Sequence, residues 1–188
     1  NEEKMSKSLG NFFMVIDILE HYEPETLRFF ILSTHYRSPL DFSDERLAEA
    51  QRSLSRLKTA QENLQALMAL MNAGQTEESL KLRRKVLELR NEFMEAMRDD
   101  FNTALAISHM FALAKEINIY HQSIVSVGSK PDGKLVSILQ SVFSEMCSII
   151  GVLESTQGAV EAESCGLEEP LMEMLIAMRQ EARSNKDY

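Results

Sequence analysis

The stretch SDERLAEAQRSLSRLKTAQENLQALMALMN, from Ser43 to Asn72, decides the fold. Within it Leu47, Ala50, Leu54, Leu57, Gln61, Leu64, Met68 and Met71 follow one another in alternating steps of three and four. That spacing lines them along one side of an α-helix, as the seam expected of a bundle. Ser43 is suited to cap the start, because its hydroxyl can accept from a first-turn amide that has no partner inside the helix. Asn72-Ala73-Gly74 reads as the stop. A helix with one apolar seam must bury it against other helices.

Three further stretches supply them. Thr76 caps a second helix carrying Leu82, Val86, Leu89, Phe93 and Ala96 on one side. A third, from about Thr103 to Ser126, presents Ile107, Met110, Ala114, Ile117, His121 and Ile124. After a turn over Gly128–Gly133, a fourth presents Leu135, Leu139, Val142, Met146, Ile149 and Leu153. Four long amphipathic helices joined by short loops predict an up-and-down antiparallel four-helix bundle over residues 43–154, within an all-α fold.

Upstream, residues 1–42 read as a small helical subdomain. It holds the apolar Phe12-Phe13-Met14, a short helix from Val15 to His21, and a second helix opened by Pro24 with Leu27, Phe30 and Ile31 on a wide buried face. Downstream, 155–166 is a polar linker, and 167–188 begins a last helix whose pattern is still running at Tyr188. With no initiator Met at Asn1, the chain reads as a piece of a longer protein.

Composition agrees with this architecture. A chain of 188 residues, 44% of them hydrophobic, can bury one good core, and 7 Gly with 4 Pro suit helices better than a sandwich or barrel. The longest uninterrupted apolar run, Ala66 to Met71, is far short of the roughly 20 residues that span a bilayer, so no membrane segment is expected. A net charge of −9 excludes a general nucleic-acid-coating protein and makes any RNA contact local. Cys147 and Cys165 lack metal or redox spacing and read as reduced structural thiols, leaving no metal site in this chain.

Chemistry is concentrated in Lys4-Met5-Ser6-Lys7-Ser8-Leu9-Gly10-Asn11, which places two ammonium groups, two hydroxyls and a glycine on one short segment. Such a segment can close over a polyphosphate. Lysine suits charge that migrates over phosphate oxygens, where a rigid arginine fork would fix one geometry. A cation aimed at developing charge contributes about 3 to 4 kcal/mol, or 10² to 10³ in rate. The plain alternative is a solvated Lys/Ser tail.

The full string resembles the KMSKS signature of class I aminoacyl-tRNA synthetases. Its continuation through Phe12-Phe13, then Pro24-Glu25-Thr26-Leu27-Arg28-Phe29-Phe30, His35-Tyr36-Arg37-Ser38-Pro39-Leu40 and Asp99-Asp100-Phe101-Asn102-Thr103-Ala104, is similar to the cysteinyl-tRNA synthetase family. The ending from Arg179 to Tyr188 resembles the start of that family's C-terminal anticodon-binding region. The resemblance implies that Lys7 binds ATP with Ser6, that Lys4 and Lys7 serve catalysis, and that residues 43–154 are a DALR-type bundle approaching tRNA.

It also implies a cytoplasmic ligase. Such an enzyme joins L-cysteine to ATP, with Mg accompanying the nucleotide, and passes cysteine to tRNA(Cys); neither membrane nor DNA is an expected partner. The family's His-x-Gly-His motif and zinc ligands are absent from this sequence, so zinc would be held outside this chain and the piece alone is expected to be inactive. A mycothiol-pathway cysteine ligase and a purely structural helical bundle are the rivals; the ending from Arg179 argues against the first.

Candidate tRNA contacts are Arg83, Arg84 and Lys85 in the basic run Lys81–Lys85, followed by Arg90, then Arg179 with Arg183, and Arg37. A solvated helix face is the bland account of the run, and an ion pair with Asp17 or Glu25 that of Arg37. Capping explains Asp100 and Asn102. His121 reads as a hydrogen-bonded core histidine, and Met68, Met71, Met94 and Met146 as core filling.

Overall fold

A computed structural model describes residues 14–70 and 76–153. Among them every regular element is a helix: α1 Val15–Leu19, α2 Pro24–Leu32, α3 Asp44–Ala69, α4 Glu77–Arg98, α5 Thr103–Val127 and α6 Gly133–Ile150. The sequence pattern and the caps agree on where these begin. Pro24 sits in the first turn of α2, where its missing N–H leaves nothing unpaired. The Ser43 side chain accepts from Arg46 N at the start of α3. Thr76 and Ser79 form a reciprocal capping box on α4. Asn102 accepts from Leu105 N to open α5, and Asp132 from Lys134 N and Leu135 N to open α6.

Cross-helix bonds fix the directions. His109 meets Glu92 and Lys85 meets Glu116, so α4 and α5 are antiparallel. Asn63 donates to Asn118 while Arg56 lies over Phe111, so α3 and α5 are parallel. Arg83 binds Asp132 and Arg90 binds Glu145, so α4 and α6 are parallel too. The four helices alternate in direction as expected, but α3 packs chiefly on α5 and α6 rather than on α4, its successor. Round the bundle the order is therefore α3, α5, α4, α6. α2 packs on α3, and Phe30 meets Phe42 edge-on with ring centroids 5.8 Å apart.

Most expected seam positions are buried, with several shifts. On α3 the buried set is Leu47, Ala50, Leu54, Leu57, Ala60, Leu64 and Leu67. Ala60 and Leu67 thus replace Gln61 and Met68, because a straight helix of 3.6 residues per turn drifts off a strict 3.5-residue repeat. Gln61 instead donates to Leu153 O at 3.1 Å. On α2 Thr26, Phe29 and Phe30 are buried and Ile31 is exposed, since only one side of this short helix meets α3. On α6 Ile150 is buried and Ile149 is exposed. Met146 fills the core, Met94 packs against it, and Met68 is exposed. His121 is half-buried, with no hydrogen-bond partner among the described residues. Met71, the Asn72-Ala73-Gly74 stop and Phe12-Phe13 lie outside the described residues.

By length and composition α6 could cross a membrane, with a mean hydropathy of 1.2 over 18 residues, a property the uninterrupted-run criterion missed. Here Leu135, Val136, Leu139, Val142, Phe143, Met146, Cys147 and Ile150 are buried, and the helix packs on α3, α4 and α5.

Two polar devices lock the helices together. Asp132 is buried, and its Oδ2 accepts from Arg83 Nη2 at 2.6 Å and Ser79 Oγ at 2.7 Å, while its backbone N–H donates to Tyr120 Oη at 2.9 Å. One carboxylate thus ties α4, α5 and α6. At the other end of α6, Gly151 and Val152 close a Schellman motif on Ser148 O and Cys147 O. There Arg28 donates to Gly151 O, Leu153 N–H donates to Glu25, and Lys58 pairs with Glu25 at 3.3 Å. This joint binds α2 and α3 to the end of the bundle.

Each device gives an expectation. Burial pushes the Asp132 carboxyl up, but hydrogen bonds from Ser79, the Leu135 and Lys134 amides and Arg83 outweigh it and hold the group below its ordinary value. A depressed carboxylate stabilises the fold above the ordinary carboxylate range and loses that stabilisation as pH falls through its folded value. Asp132→Ala should therefore cost about 3 kcal/mol or more at neutral pH, by leaving Arg83 buried and unpaired. Denaturant titrations from pH 7 downward should show the gap to the unsubstituted protein narrowing in acid. Gly151 has φ 72°, and a Cβ there would lie 3.2 Å from Arg28 Nη1. Gly151→Ala should cost about 1 to 2 kcal/mol in thermal unfolding.

Candidate nucleic-acid interface

Arg37 lies in the loop after α2, and its partner is neither Asp17 nor Glu25. Its Nε stands 3.0 Å from Asp100 Oδ2, and its Nη2 donates to Asp100 Oδ1 at 3.2 Å. Tyr36 Oη donates to the same oxygen at 2.7 Å and accepts from Arg37 Nε at 2.9 Å. His35 stacks on Tyr36 and brings Nε2 to 3.9 Å from Asp100. Asp100 therefore does not cap α5, a role Asn102 fills alone. It occupies the α4–α5 turn with φ 54°, followed by Phe101 with φ 52°. Two consecutive non-glycine residues in the left-handed region are sterically disfavoured. The turn aims Asp100 at the 35–37 loop and leaves the Phe101 ring 68% exposed.

The basic run on α4 is largely neutralised. Arg83 is only 14% exposed and is consumed by Asp132, with its Nε buried and unpartnered. The helix turn points Arg83 toward the bundle, so its guanidinium is committed to Asp132 rather than presented on the open helix face with Arg84. Lys81 pairs with Glu77 at 3.4 Å and Lys85 with Glu116 at 2.7 Å. Arg90 grips Glu145 with Nε at 2.5 Å and Nη2 at 2.6 Å. Arg84 alone in the run is exposed with no carboxylate partner among the described residues.

Sequence reading missed a groove between the parallel helices α3 and α5. A cavity of about 410 Å³ lies there, lined by Arg56, Phe111, Ala114, Lys115, Asn118, Ile119 and Gln122. A second, of about 550 Å³, is bounded by α2, α3 and α5 and shares Phe111. The available signal was an absence of acid: the chain from Ala50 to Gln61 holds three cations and no Asp or Glu.

The described residues do not fit a zinc site. No group of three or more His, Cys, Asp or Glu among them is placed to hold a metal ion. Cys147 is buried, and burial pushes its thiol up to about 12, far from the thiolate that zinc requires. Lys4, Ser6, Lys7, Cys165, Arg179 and Arg183 lie outside the described residues.

Two protein families match the chain. The one described as "tRNA synthetases class I (C) catalytic domain" covers residues 1–52, and the one described as "DALR domain" covers residues 92–154. The chain is 42% identical over its whole length to a cysteine-tRNA ligase of Desulforamulus reducens, and equally so to one of Pelotomaculum thermopropionicum. Identity to a cysteine-tRNA ligase of Heliobacterium modesticaldum is 40%, again over 100% of the chain. The chain belongs to the cysteine-tRNA ligase family. It spans 40% of the length of the first two relatives and 39% of the third. The Tyr36–Arg37–Asp100 cluster takes Tyr36 and Arg37 from the first matched region and Asp100 from the second, and so ties the two together.

That cluster has a spectroscopic signature. The hydrogen bond to Asp100 raises the Tyr36 phenol above its ordinary value, the bond from Arg37 partly opposing it. Removing the negative acceptor should make the proton easier to lose. Tyrosinate absorbance in Asp100→Asn is therefore expected to shift to lower pH, and the shift should vanish when Tyr36→Phe is added.

Proposed function

We propose that this chain is the part of a cysteine-tRNA ligase that carries its phosphate-binding KMSKS segment and the helical bundle that positions tRNA. The observation that supports it is similarity running without a break from the Lys4–Ser8 segment through the bundle, with 100% of the chain aligned to the curated relatives. In the whole protein, the carboxylate of L-cysteine attacks the α-phosphorus of ATP and pyrophosphate leaves. The terminal ribose hydroxyl of tRNA(Cys) then attacks the acyl carbon and AMP leaves. Lys7 and Lys4 steady the charge that grows on the departing phosphates, with Ser6 donating beside them; Mg accompanies ATP. The ligase reading places the protein in the cytoplasm, with translation.

In this reading 1–42 belongs with the catalytic part and 43–154 is the DALR-type bundle. Residues 155–166 link it to the start of an anticodon-binding region at 167–188, where Arg179 and Arg183 contact RNA. Arg37 contributes through the guanidinium nitrogen that Asp100 and Tyr36 leave free. Relatives named as tRNA ligases favour this over a small-molecule cysteine ligase, and the KMSKS segment has no role in a purely structural bundle.

The decisive variant is Lys7→Ala in the full-length protein. Cysteine-dependent ATP/pyrophosphate exchange should fall by about 10² to 10³, while thermal unfolding stays within error. Equal exchange in that variant would remove Lys7 from its role, and no cysteine-dependent exchange in the unsubstituted protein would end the ligase reading.

A further inference from the structure

The fold pairs most of the cations where the sequence concentrates them, and of the α4 run only Arg84 is left without a carboxylate among the described residues. On α4, Lys81, Arg83 and Lys85 all face carboxylates. The helices α3 and α5 are different. Between Ala50 and Gln61 there is no acid, and from Phe101 to Pro131 the one carboxylate is Glu116, which Lys85 holds from α4. Lys58 is taken by Glu25. Arg52, Arg56 and Lys115 are exposed, with no carboxylate partner among the described residues. In a chain of net charge −9, a polyanion is repelled by most of the surface and finds its favourable approach here.

The shape suits the charge. Arg56 from α3 and Lys115 from α5 line the cavity of about 410 Å³, and no carboxylate lines it. Phe111 forms part of the wall, and the Arg56 guanidinium carbon sits 5.1 Å above its ring centroid. That contact holds the cation in place without neutralising it. Asn118 and Gln122 follow along α5, presenting amides that can bond phosphate or ribose oxygens. Arg52 extends the basic edge one turn back along α3.

We propose that the groove between α3 and α5 takes the phosphate backbone of the RNA substrate, with Arg52, Arg56 and Lys115 as its phosphate contacts. This rests on the tRNA-ligase reading and names the surface that serves it. The test uses the full-length ligase, measuring tRNA affinity as a function of salt together with ATP/pyrophosphate exchange. Each lost phosphate contact reduces the logarithmic salt slope by about 0.7 to 0.9. Arg52→Gln/Arg56→Gln/Lys115→Gln should therefore flatten the slope by about 2 to 3 and leave exchange unchanged. Lys81→Gln/Arg84→Gln, on α4, should keep the slope, as should Arg56→Lys, which retains the charge.

An unchanged slope in the triple variant, with tRNA still bound by the unsubstituted enzyme, overturns the groove assignment alone. Equal flattening by the α4 pair does the same. If the unsubstituted enzyme binds no tRNA, the ligase reading falls and the groove with it. Should the triple variant fail to fold, Arg52→Gln by itself decides, since Arg52 has no polar partner among the described residues: a slope reduced by about one contact supports the groove, and an unreduced slope overturns it.

Discussion

The bundle depends on one buried carboxylate. Asp132 starts α6 by capping its free amides, neutralises the one arginine that α4 turns inward, and fixes a tyrosine of α5 through its own backbone N–H. A buried guanidinium without such a partner is strongly destabilising, so the inward course of Arg83 is possible only where α6 begins beside it. The parallel pairing of α4 with α6 follows, and Arg90 with Glu145 repeats it further along. With α4 packed on both α5 and α6, α3 lies across the bundle from α4 and packs on α5, and the groove lies between that pair.

The opposite end of α6 determines where the N-terminal segment sits. With Glu25 held by Lys58, Glu25 and Arg28 from α2 and Gln61 from α3 converge on the backbone of Gly151–Leu153. These are bonds to main chain, so they specify a path for the backbone rather than a particular side chain. The Arg37–Asp100 contact makes a second tie between the loop after α2 and the bundle.

Much of this was legible in the sequence because it is local. Helix periodicity and the side-chain caps Ser43, Thr76 and Asn102 act within one or two turns, and they placed every long helix within a few residues. What could not be read is what happens across the chain. Arg83 and Arg84 are adjacent and chemically alike, yet one is buried on Asp132 and the other is exposed, a distinction set by which way the helix faces. Arg37 and Asp100 are 63 positions apart; both lay in family-like segments, the one hint that they meet. The seam on α3 drifted because helical geometry does not divide evenly into a seven-residue repeat. The groove cations escaped notice because they are spaced along two helices, whereas a run of adjacent lysines and arginines draws the eye and is then largely neutralised by carboxylates of its own helix and its neighbours.

The order of the helices around the bundle also bears on how the chain comes off the ribosome. Leu54, Leu57, Ala60 and Leu64 of α3 are buried, and beyond its contact with α2 the helix packs on α5 and α6, which are made only after α4. At roughly 5 to 20 residues added per second, α3 is outside the tunnel for seconds with its apolar side uncovered. A nascent chain paused after α4 would hold two helices that make little contact with each other, and both would present leucine-rich faces to whatever lies near. The α4–α5 hairpin, antiparallel and joined by a turn of four residues, is the first pair of consecutive long helices that pack on each other. In this protein the oldest long helix is among the last to find its neighbours.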